Sequence, residues 1–385
     1  MKKIITVIVF ISLLIPAEGC SSREIEKLAV VNVQGFDKVT IDGHDQYQVT
    51  DRVLNPQSSK GPANPSQDQE ILLTGTGKTL QETSRAATLR TPRQPFFGQM
   101  EAIVVGENLA KDGVEPVIQL LGRYPEARLR AYLMVAKGTA YDVLNSQPEM
   151  DETLSREIID LADASNVKVG VTCSCDLNEF FQSILANDKA ATAGVIVKTK
   201  SSTSDEDRVN LVGMAAFRKD KLVGYLNLEE TIGYLLLWNK FKNFRTPIAI
   251  TRSDKQKYTY LLENDKCKIV PEIEGDSVHF NITIKTTGNV DDVSGIDVTS
   301  DTVPDLENEI SKRIDEIVQG TIDRAQGLNS DVVGFAYWLH RKYPDDWNLW
   351  KNKWDQMFPD ATYDIAVTAK ISNSGELNKN IQVNY

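Results

Sequence analysis

The residue with the most specific chemical surroundings is Cys20, near the start of the chain. Lys2 and Lys3 give a positively charged beginning, and residues 4–15 then form an apolar run of about a dozen residues. This run is too short to span a hydrocarbon core of roughly 30 Å as a helix, but it has the length of a signal-peptide core. Small residues on both sides of Glu18 lead to Cys20, whose thiol can form a thioether with a diacylglyceryl group.

We therefore interpret residues 1–19 as a lipoprotein signal peptide and Cys20 as the lipid-attachment residue and new amino terminus. Glu18 is unusual at a position that is ordinarily small and uncharged. One alternative is an ordinary secretory signal followed by an incidental cysteine, and another is an uncleaved membrane helix, against which the length argues. Two acyl chains on one cysteine meet the requirement for stable membrane anchoring.

The remaining cysteines do not indicate a metal site or a disulfide framework. Cys173 and Cys175 form a C-x-C pair, and Cys267 is distant in the sequence. A structural zinc site needs four ligands, and the three histidines of the chain are not spaced with these cysteines. We interpret the thiols as buried or idle, and we predict neither a metal nor a cofactor.

Two further patterns could carry chemistry, and both favour a structural interpretation. Residues 75–79 read Gly-Thr-Gly-Lys-Thr, but a phosphate loop needs a glycine where Leu72 stands, so a strand end, a glycine turn and a capped helix are predicted. Trp347, Trp350 and Trp354 form one helical stripe. Such a stripe could be a carbohydrate or membrane platform, but tryptophans at helical spacing are more often core residues.

Acid–base catalysis has few candidates in this chain. His340 lies in a predicted helix, where we expect a structural histidine with its hydrogen bonds satisfied. No nucleophile elbow, zinc-protease motif or Ser/His/Asp constellation stands out in the sequence. The two carboxylates of a glycosidase come from distant positions, so that activity stays open at this point. Three adjacent acid pairs are assigned to helix starts or turns: Glu229–Glu230, Asp291–Asp292 and Asp345–Asp346.

Composition describes an ordinary globular chain with an acidic surface. After the signal peptide about 365 residues remain, enough for two or three domains. The net charge of −11 makes nucleic acid and anionic lipid poor partners for the bulk of the chain. No segment after residue 20 has the length of a membrane span, so we predict no transmembrane helix in the mature chain.

Hydrophobic periodicity predicts a mixed α+β and α/β fold with several domains, in which helices flank mixed sheets. Residues 28–53 read as a hairpin with a turn at Asp42-Gly43, and residues 305–328 give the strongest helix. We predict an N-terminal α/β domain at 20–200, a small middle α/β domain at 201–256 and a C-terminal α+β domain with long helices at 257–385.

Several short blocks, in order along nearly the whole mature chain, resemble the Ger(x)C spore germination lipoproteins. Two departures from that family's pattern are Ser21-Ser22, where Trp-Asp is common, and Gln99, where a histidine is frequent. The main blocks are residues 23–29, Gly35-Phe36-Asp37-Lys38, 77–82, Phe97-Gly98, 105–110, 128–138, 213–217, 219–224, Asp331-Val332-Val333-Gly334-Phe335, Pro344 with Trp347, and Trp354 with Phe358-Pro359.

This resemblance implies a three-domain, non-catalytic protein on the outer face of the spore inner membrane. Such proteins are the C subunits of nutrient germinant receptors, which assemble with a membrane A subunit and a transporter-like B subunit. Only Cys20 transfers with a defined role. Two rivals stay open: an extracytoplasmic solute-binding lipoprotein of a transporter, for which no internal repeat is visible, and a lipid-anchored wall or sugar hydrolase.

Overall fold

The computed structural model of the protein describes residues 27–55, 69–124, 128–149, 151, 153–164, 175–186, 188–200, 207–252, 255–291 and 298–373. The predicted signal peptide, Cys20 and Cys173 lie outside these residues. The described chain forms two mixed sheets flanked by helices, which confirms the predicted fold class. Within the described ranges, no helix combines the length and apolar character needed to cross a bilayer.

The larger sheet has ten strands, with parallel strands at its centre and antiparallel strands towards both edges. The strands are β1 (Leu28–Ile41), β2 (His44–Leu54), β3 (Glu70–Gly77), β4 (Gln94–Phe96), β5 (Ala102–Gly106), β6 (Tyr132–Ala136), β7 (Cys175–Asp176), β8 (Thr192–Lys200), β9 (Asp207–Arg218) and β10 (Lys221–Leu226). Their order across the sheet is β10-β9-β8-β6-β5-β1-β2-β3, with β4 beside β1 and β7 beside β6.

The predicted N-terminal hairpin is confirmed as β1 and β2. Its two turn residues, Asp42 and Gly43, have φ angles of 50° and 76°, which a tight hairpin turn needs to match the twist of its strands. Strands β4 and β7 were not predicted. Because they have only three and two residues, they carry too little alternation to be recognised in the sequence.

Helices cover both faces of the larger sheet, because alternate residues of its central strands point to opposite sides. Ile103 and Val105 of β5 join one buried cluster, whereas Ala102 and Val104 join another. The helices on the two faces are α1 (Leu80–Thr88), α2 (Glu107–Asp112), α3 (Glu115–Gly122), α4 (Ala140–Leu144), α5 (Leu154–Ala164) and α6 (Leu177–Leu185).

The smaller sheet has four strands: β11 (Lys242–Thr251), β12 (Lys257–Glu274), β13 (Ser277–Asp291) and β14 (Thr362–Asn373). They lie in this order across the sheet, with β14 parallel to β13. One face packs on the long helix α8 (Val303–Gly327), whose buried residues recur at helical spacing. At the β14 edge, Ala369 N donates to Ser311 Oγ at 2.9 Å and Ile371 N to Glu307 Oε1 at 3.1 Å.

The two sheets share a buried core around helix α7 (Leu228–Leu237). Met214 of β9, Leu236 of α7 and Ile282 of β13 belong to one hydrophobic cluster. Strands β9 and β10 belong to the larger sheet, and β11 to the smaller one. The division into domains at residues 200 and 256 stays a prediction.

The described C-terminal part also contains three short α-helices, α9 (Phe335–Lys342), α10 (Pro344–Trp350) and α11 (Trp354–Met357), and a 3-10 helix at Phe358–Asp360. The continuous helix predicted for the three tryptophans is wrong, because α10 ends at Trp350 and residues 351–353 form a turn before α11. The rings of Trp347 and Trp354, on either side of this turn, meet edge to face with centroids 5.7 Å apart.

Candidate functional site

The predicted lipid-attachment residue Cys20 is separated by residues 21–26 from Lys27, where the described chain begins. Lipid attachment therefore stays a prediction. The two described cysteines, Cys175 and Cys267, are both buried, which confirms the interpretation for these two residues. Burial, and secondarily the nearby Asp265 carboxylate, raise the pKa of Cys267 to about 12. A thiol that holds its proton at neutral pH is a poor nucleophile.

The glycine-rich segment at residues 75–79 has a structural role, as predicted. Thr79 is the N-cap of α1, and its Oγ1 accepts a hydrogen bond from Glu82 N at 3.2 Å. Gly75 packs so closely under this helix that a β-carbon would lie 2.4 Å from Thr83 O. The glycine is therefore needed for the approach of helix to strand rather than for a phosphate.

His340 holds two parts of the fold together. Its Nδ1 lies 2.6 Å from Asp188 Oδ2, in the segment that follows α6, and its ring stacks on Trp347 with centroids 5.8 Å apart. The side chain is 44% exposed. The interpretation of His340 as a structural histidine is confirmed for its Nδ1 and its ring face, which both contact other parts of the fold.

The tryptophans are core residues, as predicted. Trp347 and Trp354 are 2% and 5% exposed, and Trp350 packs against the same cluster.

Two of the predicted acid pairs also lie at helix starts, where the helix dipole favours negative charge. Glu229 and Glu230 occupy the first turn of α7, and Asp345 and Asp346 the first turn of α10. Asp291 ends β13, and Asp292 lies outside the described residues.

Asp331, at the join between the two sheets, accepts four hydrogen bonds with its carboxylate. Its Oδ1 accepts hydrogen bonds from Gly334 N at 2.8 Å and Phe335 N at 2.9 Å. Its Oδ2 accepts from Ala336 N at 2.7 Å and from Trp354 Nε1 at 2.9 Å. Burial raises the pKa of Asp331 to about 6, although these four donors oppose the rise. Asp331 therefore fixes the start of α9 against α11.

The residues beside Asp331 are equally constrained. Gly334 has a φ of 82°, and a β-carbon there would lie 2.4 Å from the Trp238 ring. Trp238 Nε1 donates to Val332 O at 2.8 Å, and Phe335 stacks on Phe280 with ring centroids 4.0 Å apart. The Asp331–Phe335 segment is thus a structural connector, in which nearly every residue makes a contact of its own that holds the segment in place.

Asp37, in the larger sheet, likewise uses its carboxylate to hold the start of a helix. Its Oδ1 and Oδ2 accept hydrogen bonds from Ala140 N at 2.7 Å and Tyr141 N at 2.8 Å, at the start of α4. Burial raises the pKa of Asp37 to about 6, and the two backbone donors lower it. A β-carbon on Gly106 would lie 1.9 Å from Asp37 Oδ1, so only glycine fits beside this carboxylate.

A cavity of about 460 Å³ lies beside Asp331, and we name it the junction cavity. Its charged lining residues include Asp188, which His340 holds, and Asp331, whose two oxygens already accept four hydrogen bonds. The described residues contain no group of three or more His, Cys, Asp or Glu side chains that could hold a metal ion. The other charged residues that line the junction cavity are Lys189, Arg218, Lys219, Lys351 and Asp355.

Comparison with known proteins matches both halves of the chain to one family. Residues 21–198 match the family model described as "Spore germination protein N-terminal domain". Residues 212–375 match the one described as "Spore germination B3/ GerAC like, C-terminal". The chain belongs to the Ger(x)C family of spore germination proteins.

Relatives of this Ger(x)C protein extend over almost its whole length. Spore germination protein KC of Bacillus subtilis (strain 168) is 22% identical over 99% of this chain and 98% of that protein. Spore germination protein B3 of the same organism is 25% identical over 94% of this chain and 95% of its own. The crystal structure of the GerBC protein shares the fold, with a TM-score of 0.54, 22% identity, and coverage of 88% of this chain and 97% of that one.

Sequence reasoning singled out none of the buried carboxylates of this Ger(x)C chain. Asp37 and Asp331 stand in blocks that carried the family resemblance, each close to a glycine and a phenylalanine. That pattern is the only sequence signal for them, because hydrophobic periodicity does not separate a buried capping aspartate from an exposed one. The Asp188–His340 contact joins residues 152 positions apart and leaves no local signal.

Proposed function

We propose that this chain is the lipid-anchored C subunit of a spore nutrient germinant receptor. In this role it is required for the germination response to small nutrients and acts by assembly with other proteins rather than by catalysis. The observation that carries the proposal is the match of both halves of the chain to spore germination families. Full-length similarity to spore germination proteins KC and B3 supports it.

The proposed location is the outer face of the spore inner membrane, with the diacylglyceryl group on Cys20 as the anchor. Residues 21–26 would reach about 20 Å when extended, so the anchor would keep the start of β1 close to the bilayer. Confinement beside the membrane A and B subunits raises their effective concentration without new contacts. A lipid anchor therefore suits a subunit that works by assembly.

The candidate residues for chemistry support an assembly role. His340, Asp331 and the tryptophans are each engaged in contacts that hold the fold. The rival solute-binding lipoprotein needs two similar lobes around a cleft, whereas the two sheets formed by the described residues have ten and four strands with different topologies. Specific binding of a nutrient by the soluble fragment alone would favour that rival, and two facing carboxylates in a deep cleft would favour a hydrolase.

Deletion of the gene tests the receptor role. Spores that lack this protein should lose or slow their germination response to at least one nutrient, and a plasmid copy should restore it. The same deletion is also made in spores that lack the related receptors, so that no other receptor can replace this one. An unchanged response to every nutrient in that background would contradict the proposal.

The anchor is tested separately with a Cys20→Ala variant. The parent protein should partition into the detergent phase, and its N-terminal peptide should carry the added mass of a diacylglyceryl group. The variant should lose the acyl mass and most of its membrane association, because the described chain has no membrane-spanning helix. A Ser21→Ala variant, one residue away, is the matched control and should stay acylated. A parent protein without acyl mass at Cys20 would refute the anchor.

A further inference from the structure

The smaller sheet leaves one face open to solvent, opposite the face that packs on α8. The outward side chains in the middle of this face are lysine and threonine. We name this group the lysine face; it consists of Lys266 and Lys268 on β12, Thr283 and Lys285 on β13, and Thr368 on β14. All five residues are exposed. The residues that alternate with them along the strands, such as Cys267 and Ile284, point to the other face and are buried in the core.

The register of the sheet forces two of these lysines together. Lys266 lies directly opposite Lys285, and Lys268 lies opposite Thr283, diagonal to Lys285. Like charges directly opposite each other on one sheet face are destabilising. Among the described residues, none of the three amines has a carboxylate partner, whereas Lys370 on the same sheet is paired with Glu307 at 2.6 Å. The folded chain therefore carries an electrostatic cost that an anionic group on this face would relieve.

The remainder of the same face narrows the choice of partner. On β14, Thr368 lies beside Lys285 and Ala366 beside Thr283, so no acid interrupts the lysine face. The next rows along the strands carry Asp364 and then Glu272. Rows on one face are about 7 Å apart, so a flat anionic bilayer laid on this sheet would meet these carboxylates as well as the lysines. A narrow acidic segment crossing the strands would meet the lysines alone.

We propose that the lysine face binds an acidic segment of another protein. The chain has a net charge of −11, so this group of three unpaired lysines is opposite in sign to the chain as a whole and favours an anionic partner by charge. The assignment of that partner to the receptor assembly rests on the proposed function. The binding chemistry itself rests on the register and on the unpaired amines.

Carbodiimide coupling tests this proposal in native spore membranes, because the reagent joins lysine amines to carboxylates that touch them. Mass spectrometry should find Lys266, Lys268 or Lys285 joined to an Asp- and Glu-rich peptide of a second protein. The triple Gln variant of these lysines should lose the product, and its recovery with that protein should fall about tenfold, as expected for three exposed ion pairs. Lysine substitutions in the acidic peptide should restore recovery with a triple Glu variant.

A matched control carries Gln at Lys78, Lys257 and Lys312, three exposed lysines elsewhere that give the same change in net charge. Its recovery with the partner should not change. Coupling of these control lysines but not of the lysine face would overturn the proposal. Binding of the full chain to vesicles of phosphatidylglycerol and phosphatidylcholine that depends on the lysine face would also overturn it, in favour of a membrane surface.

Thermal stability separates a binding role from a structural one. Lys285→Thr removes one of the two opposed charges and should raise the unfolding midpoint of the purified chain by about 1 °C while weakening recovery of the partner. A lower midpoint would show that Lys285 serves the fold and would overturn the inference. If deletion leaves germination unchanged but the lysine face still couples to an acidic segment, the receptor role fails and the binding surface stands.

Discussion

A buried polar pair in the N-terminal hairpin gives a sharp test of the electrostatics of this fold. Gln34 and Asp51 face each other across β1 and β2, and Gln34 Nε2 donates to Asp51 Oδ1 at 2.7 Å. Burial raises the pKa of Asp51 to about 7, and the hydrogen bond from Gln34 lowers it only partly. Gln34 Oε1 is buried with no hydrogen-bond partner among the described residues. A protonated Asp51 carries an O–H donor that its carboxylate form lacks.

The sign of the pH dependence follows from the two pKa values. The pKa of an unfolded aspartate is 3.8, so between pH 6 and 8 the unfolded chain has already lost this proton while the folded chain is losing it. The stability from protonated Asp51 is fully present below pH 3.8 and is lost as the pH rises through about 7. We expect this group to lower the free energy of unfolding by roughly 1 kcal/mol between pH 6 and 8.

The perturbation is Asp51→Asn, assayed by urea unfolding of the chain without its signal peptide at several pH values. The asparagine amide can accept from Gln34 Nε2 and donate to Gln34 Oε1 without a charge. The variant should lose roughly 1 kcal/mol of the pH dependence and be at least as stable as the parent at pH 8. Asp276→Asn, in the exposed turn between β12 and β13, should keep the parent profile. An unchanged pH profile in Asp51→Asn would refute the reasoning.

The connector at the join of the two sheets gives two further predictions, each measured by urea unfolding. Asp331→Ala leaves three backbone donors and an indole donor without their acceptor and should cost about 3 kcal/mol, whereas Asp355→Ala in the same cavity lining should change little. Gly334→Ala should cost about 2 kcal/mol because of its positive φ and the nearby Trp238 ring. Gly320→Ala, in open space on α8, should instead stabilise by roughly 0.5–1 kcal/mol. Equal effects of the two glycine substitutions would contradict the second prediction.

The elements that sequence predicted best are those with long periodic runs. Helix α8 was expected at 305–328 and spans Val303–Gly327, and the N-terminal hairpin was predicted with its turn. The prediction of one tryptophan helix failed because the spacing of Trp347 and Trp354 fits one helix, although the backbone between them forms a turn at residues 351–353. Helical spacing records which residues are buried, but it does not record whether the backbone between them is continuous.

In the candidate site, too, some residues could be interpreted from the sequence and others could not. The structural interpretations of residues 75–79 and of His340 could be reached from the sequence, because their neighbours along the chain already matched a cap and a helix. Asp37 and Asp331 could not, since a capping carboxylate is defined by backbone amides that tertiary structure brings to it. Asp37 meets the amide of Ala140 across 103 positions.

The sequence by itself determined the signal-like N-terminus with Cys20, the fold class and the resemblance to the Ger(x)C family, because these depend on local composition and on the order of short blocks. Only the tertiary structure decided that Asp331 fixes α9 against α11 and that Lys266 faces Lys285. Both depend on strand register and on contacts between segments far apart in the chain. Such contacts are set by the packing of the whole core, so no local stretch of sequence contains them.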